Sequence, residues 1–380
     1  MACRHATVLG GGIGGLTAAA ALARHGWNVR LHERQPEIRA LGAGIYMWDN
    51  GLFALDTIGA LAEATDGAHK GPALEVRRGS GKLLYRVPLN GEDQPRCYAL
   101  LRDKLITALH KVARDVGVDI VTSSAAVAAR ADGTAEFEGG GSESADLVVV
   151  ADGVHSRARD SLDLPYRRIR MTQGAARALV PASPDYVPQA DAPKYLEYFH
   201  GRRRFLYTPM TSEFVYLAFT CDLNDAAMSG GHIDVREWSR SFPESARLVE
   251  AAADVPLRWD TFEFIQLASW SRGKVALLGD AAHAQPPYLG QGGGTAMTNA
   301  IALAENVSRP NVSLDDALRS WEQSNRPAVE KTQRTSYQMR LLNPLPDRLR
   351  DPLLTAIGRS QGFINSQVRS SRMRPASSNN

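Results

Sequence analysis

The sequence has few cysteines and little excess charge of either sign. Two short basic clusters, at residues 167–170 and 202–204, are either solvated surface charge or groups that help to hold an anionic substrate or a dinucleotide phosphate. Its three cysteines, Cys3, Cys97 and Cys221, are odd in number and lack metal-ligand spacing. This usage favours a reducing compartment, so a cytoplasmic protein with no metal centre is predicted. The formal net charge is +3, with both signs mixed along the chain. No nucleic-acid partner is predicted, because nucleic-acid binding needs a concentrated basic face.

The sequence also lacks a long apolar run and a Ser/His/Asp or metal-binding cluster. The apolar segment Val8–Ala23 follows two basic residues, as in a signal peptide, but it is short for a membrane span and contains the glycines of Gly10–Gly15. Glycines disfavour a continuous helix, so we interpret this segment as part of the fold and predict no membrane partner. Because no Ser/His/Asp or metal-binding cluster is present, we expect a bound cofactor to carry out the chemistry. The sequence carries no signal for the oligomeric state.

What is present is the composition of a globular α/β protein. An apolar fraction of 44% and a charged fraction of 22% in 380 residues suit two interleaved domains. Ala6–Leu9, Leu16–Arg24 and Trp27–His32 read as a strand, a helix and a second strand, which begin a parallel α/β layer. Asp146–Ala151 and Lys274–Leu278 read as further buried strands.

A second kind of pattern interrupts this layer. Short alternating runs at Tyr195–Phe199, Phe205–Tyr207 and Phe214–Phe219 predict an antiparallel sheet. Helices are predicted over Asn50–Ala64, Asp103–Val116, Val235–Ala252, Thr295–Val307 and Leu314–Arg334. The predicted domains are a discontinuous nucleotide-binding domain (1–72, 98–167 and 269–340), a substrate-binding sheet domain (73–97 and 168–268), and a C-terminal helical segment with a disordered tail (341–380).

Gly10-Gly11-Gly12-Ile13-Gly14-Gly15 is a G-x-G-x-x-G motif between a predicted strand and helix. Its glycines allow a tight turn and close approach to a pyrophosphate, which the helix N-terminus attracts. Glu33 ends the second strand, where a carboxylate can accept hydrogen bonds from ribose. The pattern predicts a bound dinucleotide and leaves open whether it is NAD or FAD.

Three further stretches stand at positions suited to the same ligand. Gly42-Ala43-Gly44-Ile45 forms a loop before a helix, and Asp152–Arg159 directly follows the buried Asp146–Ala151 strand. The third stretch, Gly279–Gly294, has an acid at a strand end followed by prolines and a run of glycines. Such a loop offers many free N–H groups, which suit a delocalised anion such as the edge of a reduced flavin.

In this order and spacing the four stretches resemble the single-component aromatic-ring flavin monooxygenases of the para-hydroxybenzoate hydroxylase type. The resemblance implies an α/β fold in which a Rossmann-like FAD-binding domain is interleaved with an antiparallel-sheet substrate domain, followed by C-terminal helices. It implies FAD as cofactor, NADH or NADPH as transient reductant, and O₂ as co-substrate. An electron-rich aromatic or N-heteroaromatic carboxylate would be hydroxylated through a flavin C4a-hydroperoxide, with or without ring opening. The chain contains no second G-x-G-x-x-G for a separate NAD(P)H domain, in agreement with that family.

The resemblance also assigns the cofactor residue by residue. The FAD contacts it implies are Gly10, Gly12, Ile13, Gly14 and Gly15 at the pyrophosphate, Glu33 and Arg34 at the adenosine ribose, Gly42, Ala43 and Gly44 in the second loop, Arg102 at the ribityl–phosphate region, Asp152, Gly153, Ser156 and Arg159 in the motif shared with NAD(P)H, Gly279 and Asp280 at the ribityl chain, and Pro287, Gly290, Gln291 and Gly292 along the isoalloxazine ring.

Within the family, residues 42–51 and 204–209 are similar to the 3-hydroxy-2-methylpyridine-5-carboxylate oxygenase branch. Leu74 stands where that branch has a tyrosine, so the same substrate is not implied. The substrate contacts predicted from this likeness are Tyr46, Trp48, Arg177, Tyr207 and Pro287, with Arg204 and Tyr216 as the catalytic candidates. Arg204 lies among apolar strand residues, where a substrate carboxylate or phenolate would supply the partner that a buried arginine needs.

Other functions remain open on the sequence alone. A flavin-binding sensor would use the same fold without turnover, and an epoxidase or halogenase would use it on another substrate. His283 is interpreted as orienting the loop that carries Asp280, rather than as a general base. All of these interpretations require the distant segments to fold into one slot that is long enough for FAD.

Overall fold

The computed structural model of the protein describes residues 4–39, 43–229, 231–360 and 371–372. Elements of the first half are β1 (His5–Leu9), α1 (Ile13–Arg24), β2 (Asn28–His32), β3 (Gly44–Trp48), α2 (Asp49–Thr57), α3 (Leu61–Ala64), β4 (Ala73–Arg78), β5 (Leu83–Pro88), β6 (Cys97–Leu101), α4 (Arg102–Asp115), β7 (Asp119–Val121), β8 (Ala126–Ala129), β9 (Thr134–Phe137), β10 (Ser142–Ser144), β11 (Leu147–Val150) and α5 (Arg157–Asp160). Elements of the second half are β12 (Tyr166–Pro181), β13 (Tyr195–His200), β14 (Arg203–Pro209), β15 (Phe214–Asp222), β16 (Met228–Ser229), β17 (His232–Ile233), α6 (Val235–Ser241), α7 (Ala246–Ala253), β18 (Arg258–Leu267), β19 (Ser271–Arg272), β20 (Val275–Leu277), α8 (Asp280–His283), α9 (Gly292–Val307), α10 (Leu314–Met339) and α11 (Asp347–Arg359).

The first sheet is the parallel layer that the sequence predicts. Its order is β19-β20-β11-β1-β2-β7, and only the edge strand β19 runs antiparallel to its neighbour. Strand β11 is buried on both faces, since α1, α4 and α9 belong to the same apolar core. The four alanines Ala18–Ala21 leave α1 narrow enough to pack closely on α9. The fold class is therefore confirmed: a Rossmann-like layer brings the carboxyl ends of β1, β11 and β20 to one edge.

The second sheet has the order β18-β12-β15-β14-β13-β4-β5 and is antiparallel except for the β4–β13 pair. One face packs on α6 and α7 through an aromatic core that includes Phe205, Phe219, Trp238 and Phe242. Because side chains alternate along a strand, the even-numbered residues of β14 point to the opposite face. That face and the glycine-rich loops at the edge of the first sheet line the cavity described below.

Two predicted helices are each divided. The segment Asn50–Ala64 is broken at Gly59, whose φ of +78° ends α2 before α3 begins. Val235–Ala252 is broken at Pro243, because proline lacks the N–H that a continuous helix needs. At the C-terminus, α11 packs on β5, and the predicted disordered tail lies outside the described residues except for Ser371 and Arg372. In the described part of the chain, no helix combines the length and apolarity of a membrane span.

Candidate active site

One cavity of about 950 Å³ runs between the edge of the parallel sheet and the open face of the second sheet. Its glycine end is lined by Gly10–Gly14, Glu33, Arg102, Asp152 and Asp280. Its sheet end is lined by residues from β4, β5, β12, β13, β14 and β15 together with the Pro287–Gly292 loop, which lies between the two ends. The segments that must meet to hold FAD therefore share one continuous space.

The backbone geometry of the Gly10–Gly15 turn shows which of its residues must lack a side chain. Gly10 has a φ of +108°, and a Cβ there would lie 2.5 Å from the carbonyl oxygen of Ala151. A Cβ on Gly15 would lie 1.9 Å from the carbonyl oxygen of Gly10. A Cβ on Gly12, by contrast, would meet no protein atom within 4 Å and would project at the cavity. Gly10 and Gly15 allow the turn itself, whereas Gly12 keeps a cradle open at the N-terminus of α1.

Glu33 is fixed at the end of β2 by the backbone. Its Oε2 accepts a hydrogen bond of 2.8 Å from the N–H of Gly11, and its Oε1 accepts one of 2.8 Å from the N–H of Gln35. A carboxylate oxygen has more than one lone pair, so each can still accept from a ribose hydroxyl. Arg34 lines the same end of the cavity.

Arg102 and Asp280 face one another from the first residues of α4 and α8. Enclosure by the protein raises the pKa of the Asp280 carboxyl, and the charge of Arg102 opposes the rise. Burial likewise lowers the pKa of Arg102, an effect that Arg177 reinforces and Asp280 opposes. Among the described residues neither side chain has a hydrogen-bond or ion-pair partner, so both polar groups can bind a ligand in the cavity.

The loop Pro287–Gly292 lies against strand β3. Gly290 has a φ of +61°, and a Cβ there would lie 3.1 Å from Cδ2 of Tyr46 and 3.6 Å from Nε1 of Trp48. A Cβ on Gly293 would lie 3.6 Å from Cδ1 of Ile13, so this loop also approaches the glycine turn. Within the described residues, the buried Nε1 of Trp48 and Oδ1 of Asp152 have no hydrogen-bond partner. Both residues line the cavity.

These observations fit FAD. The open cradle at Gly12 suits a pyrophosphate, Glu33 suits a ribose, and the unpartnered Arg102 and Asp280 suit the ribityl–phosphate segment. The Pro287–Gly292 loop at the middle of the cavity suits the isoalloxazine ring. The predicted residues that line the cavity are Gly10, Gly12, Ile13, Gly14, Glu33, Arg34, Gly44, Arg102, Asp152, Gly153, Gly279, Asp280, Pro287, Gly290, Gln291 and Gly292.

Four predicted cofactor residues do not line the cavity. Gly15 packs under the turn, and the carbonyl oxygen of Ala43 accepts a hydrogen bond from the N–H of Arg102. Ser156 caps α5 by accepting from the N–H of Arg159, and the Arg159 guanidinium donates to the carbonyl oxygens of Val154 and Ala281. These residues hold the shape of the loops around the cavity. Gly42 lies outside the described residues.

At the sheet end, Arg204 already has a protein partner. Its Nε lies 2.6 Å from Oε1 of Glu197, on the neighbouring strand β13. The expectation that a substrate anion would supply the partner of Arg204 is therefore corrected, because the pairing of β13 with β14 brings the carboxylate of Glu197 to it. Arg204 and Glu197 both line the cavity.

Arg177 and Tyr216 form a second polar group on the same wall. Arg177 forms an ion pair with Asp260, and Arg258 approaches the other oxygen of Asp260 at 3.0 Å. Burial raises the pKa of Tyr216, while Arg177 and Arg102 oppose the rise. Tyr216 packs under β3, since a Cβ on Gly44 would lie 3.2 Å from its Cγ. Its neutral phenol is available as a hydrogen-bond donor.

Of the other predicted substrate residues, Tyr46, Trp48 and Pro287 line the cavity and Tyr207 does not. The hydroxyl of Tyr46 lies 2.5 Å from Oγ1 of Thr208, the residue after Tyr207 on β14. Tyr207 points to the opposite face of the sheet, where its O–H donates to the carbonyl oxygen of Ala192 at 3.1 Å. The alternation of side chains along the strand therefore removes Tyr207 from the candidate site.

His283 is a buried structural residue. Its Nε2 lies 3.2 Å from Nδ2 of Asn299, so the ring accepts a hydrogen bond from that amide. Burial lowers its pKa to about 4, and it does not line the cavity. These contacts agree with a residue that orients α8, the helix that carries Asp280.

Sequence reasoning missed the residues that shape the sheet end. Glu197, Phe199 and Tyr85 line the cavity from β13 and β5, and Leu354 does so from α11. Glu197 gave one usable signal, because an acid alternates with aromatic residues within a buried strand. Leu354 gave none, since nothing local to α11 indicates what that helix covers.

Comparison with known proteins agrees with this geometry. Residues 4–336 match the family described as an FAD binding domain. A probable 2-heptyl-3-hydroxy-4(1H)-quinolone synthase of Rhodococcus erythropolis is 61% identical over 99% of this chain and 98% of its own length. A 2-heptyl-3-hydroxy-4(1H)-quinolone synthase of Mycobacteroides abscessus is 55% identical over 97% of this chain and 98% of its own.

Among solved structures, that of a 2-methyl-3-hydroxypyridine-5-carboxylic acid oxygenase superposes with a TM-score of 0.88 at 35% identity, over 98% of this chain and 97% of the other. A 3-amino-4-hydroxybenzoate 2-monooxygenase of Streptomyces cremeus is 30% identical over 90% of this chain and 88% of its own. Each of these names refers to an aromatic ring compound. The chain belongs to the FAD-binding-domain family and is an FAD-dependent aromatic monooxygenase that uses NAD(P)H and O₂.

Proposed function

We propose that this enzyme adds the 3-hydroxyl group to a neutral 2-alkyl-4(1H)-quinolone. The observation that carries the proposal is an apolar arm at the sheet end of the cavity, defined by Leu74, Tyr85, Phe199, Met339 and Leu354. An aliphatic chain buried there gains roughly 0.8 kcal/mol for each CH₂ group removed from water. The two quinolone synthases that share more than half of their residues with this chain support the same substrate class.

The apolar arm is closed by the C-terminal helix α11. Leu354 is 1% exposed and packs with Phe199, while Tyr85 and Met339 border the same cluster. A Cβ on Gly358 would lie 2.0 Å from Cβ of Tyr85, so α11 and β5 are in direct contact. The arm therefore has a fixed far end, and its length limits the length of the chain that fits.

The charges around the arm favour a neutral ring over a carboxylate. Arg204 is paired with Glu197, and Arg177 is paired with Asp260. A substrate carboxylate placed beside the arm would thus meet Glu197 as well as Arg204, and burying a charge without its own partner is costly. Arg102 lacks a partner but faces Asp280 at the glycine end.

When bound, reduced FAD supplies the activated oxygen atom from O₂. The task of the chain is to hold the quinolone ring at a fixed distance from the flavin and to keep water away from both. Pro287 and Trp48 line the cavity next to the Gly290 turn, so the ring would lie between them and β14. Tyr216 and Tyr46, both neutral because burial raises their pKa, would border the ring on the β3 side.

Two experiments test the proposal. Purified enzyme with FAD and NAD(P)H should convert 2-heptyl-4(1H)-quinolone to its 3-hydroxy product, measured by liquid chromatography and mass spectrometry. Pyridine and benzene carboxylic acids of matched size should give little product. Preferential hydroxylation of the carboxylic acids would contradict the proposal and restore the anionic substrate.

The apolar arm is tested by Leu354→Phe. The larger ring should shift the preferred alkyl chain toward fewer carbons, with roughly a tenfold loss in kcat/KM for the heptyl compound, since overpacking costs about 1–3 kcal/mol. Leu349→Phe is the matched control, because Leu349 lies on the same helix but is 57% exposed. An unchanged chain-length profile for Leu354→Phe would place the alkyl chain elsewhere.

A further inference from the structure

We propose that Glu197 is the proton acceptor for the ring N–H of the substrate, and that Arg204 positions it. The inference rests on the proposed function, which supplies a ring that has an N–H. It assigns a catalytic role to a residue that no sequence motif indicated. Glu197 lies on β13 with its side chain on the cavity face, two residues before Phe199 of the apolar arm.

The surroundings of Glu197 are unusual for a carboxylate. It is 8% exposed, and its pairing partners are apolar: Leu206 on β14, which also lines the cavity, and Val76 on β4. An acid is rarely buried to this extent unless it is paired. Its one ion-pair contact in the described part of the chain is Oε1 with Arg204 Nε.

Stability does not account for this ion pair. Taking two charges out of water costs about as much as their attraction returns, so a buried pair is weak evidence of stabilisation. Hydrophobic residues on β13 and β14 would close the cavity wall at lower cost. Arg204 is further held by the rings of Tyr288 and Phe199, with its Cζ at 5.4 Å and 5.7 Å from the two ring centroids. The pair is thus rigidly oriented at the cavity surface, which suits recognition.

Glu197 lines the cavity and pairs through Oε1 with Arg204, so its carboxylate keeps acceptor positions for a ligand. A carboxylate only accepts hydrogen bonds, so it selects a substrate that carries a donor. The 4-quinolone N–H is such a donor on a ring that is otherwise apolar around its alkyl substituent. Burial and the charge of Glu197 raise the pKa of the Tyr85 phenol. Tyr85 therefore stays neutral, and the negative charge on this part of the cavity wall belongs to Glu197.

Acceptance of the N–H proton by Glu197 would also promote the hydroxylation step. As the N–H proton moves toward Glu197, the nitrogen lone pair is released into the ring and C3 becomes more nucleophilic. C3 then bonds to one oxygen atom of O₂, the C3 hydrogen leaves as a proton, and Glu197 returns its proton to the nitrogen. The other oxygen atom leaves as water. The hydride of NAD(P)H supplies the two electrons, and this hydride, the C3 proton and one proton from solvent supply the three hydrogens of the hydroxyl group and the water. General-base assistance of this kind contributes roughly 100- to 10,000-fold in rate.

The decisive test compares two substrates of the same shape. In a 2-alkylchromone a ring oxygen replaces the N–H of the 2-alkyl-4(1H)-quinolone, so the donor is lost while size is retained. Wild-type enzyme should bind the quinolone at least ~100-fold more tightly than the chromone, because the site's buried acceptor is otherwise left unpaired. Binding is measured by quenching of flavin fluorescence, which needs no turnover.

Glu197→Gln should reduce or reverse that preference, since its amide N–H₂ can donate to the chromone oxygen. It should also lower kcat for quinolone hydroxylation by at least ~100-fold, with NAD(P)H oxidised but little product formed. Glu197→Asp should recover part of the preference, because it keeps a carboxylate, which can only accept hydrogen bonds. Retained FAD absorbance and an unchanged melting temperature show that each variant is folded.

The outcomes separate the inference from the proposed function. If wild-type enzyme hydroxylates quinolones but Glu197→Gln keeps the wild-type preference for quinolone over chromone, the role of Glu197 is overturned and the function stands. If wild-type enzyme itself binds the two compounds equally well, the role is overturned without any variant. If wild-type enzyme acts on no quinolone, the proposed function fails first.

Discussion

The two ends of the cavity are built in different ways. At the glycine end, the cavity is lined by the backbone of Gly10–Gly14 and by side chains at the first residues of α4 and α8. At the sheet end, the cavity is lined by side chains that alternate along β13, β14 and β15, and by Leu354 of α11. A backbone site changes little when side chains change, whereas a wall of alternating side chains can be altered one residue at a time. The first end therefore suits a constant cofactor, and the second suits substrates that differ between relatives.

The largest expected effect comes from adding a methyl group at the glycine end. We expect Gly15→Ala to fold poorly, because its Cβ would lie 1.9 Å from the carbonyl oxygen of Gly10. Gly12→Ala should fold normally, because its Cβ meets no protein atom within 4 Å. It should nevertheless bind FAD roughly 10- to 100-fold more weakly, since steric overlap with the pyrophosphate costs about 1–3 kcal/mol.

Two measurements separate these effects: the melting temperature in the absence of FAD, and the affinity for FAD from a fluorescence titration. Gly26→Ala is a control for the general effect of removing a glycine near α1, since Gly26 also has open space around its Cβ but lies away from the cavity. Its φ of +81° predicts a small loss of stability and no loss of FAD affinity. Normal FAD affinity in Gly12→Ala would mean that the pyrophosphate does not lie on this turn.

The same contrast explains what the sequence could predict. The residues of the glycine end lie in short stretches whose spacing is set by strand–turn–helix units. Their positions can therefore be predicted from the sequence, and Gly10, Glu33 and Asp280 line one cavity. The sheet end depends on which strands pair and on which face each side chain lies. Tyr207 is predicted as a substrate contact but lies on the opposite face for that reason. Glu197 cannot be placed from sequence, because only the register of β13 with β14 brings it to Arg204. The part played by Leu354 depends on how α11 docks, which no local pattern encodes.

At acid pH, the cost of keeping His283 unprotonated should lower the stability of the fold around the glycine end of the cavity. Burial lowers the pKa of His283 from 6.5 to about 4, so below pH 6.5 the unfolded chain binds a proton that the folded chain does not. The stability supplied by the neutral ring is present above pH 6.5 and is lost as the pH falls toward 4. The pKa change corresponds to at most about 3 kcal/mol.

We expect the melting temperature to fall across this pH range and bound FAD to be released with it, because His283 lies in the helix that carries Asp280. His283→Gln keeps an acceptor for Asn299 and removes the titration, so its melting temperature should depend less on pH between 6.5 and 4. Asp132→Asn, at an exposed turn, is the control for removal of a titrating group elsewhere. An identical pH profile for His283→Gln and wild type would exclude His283 as the cause.

The smallest expected effect comes from two tyrosines on opposite faces of the second sheet. Tyr207→Phe removes the hydrogen bond to the carbonyl of Ala192 and should cost about 1 kcal/mol of stability, with kcat and KM unchanged. Tyr216→Phe removes a phenol that lines the cavity and should change KM or kcat severalfold with little change in stability. Chemical denaturation and steady-state kinetics on the same preparations measure both. If Tyr207→Phe alters KM, the substrate contacts extend through the sheet, and the division between a cavity face and a core face would no longer hold.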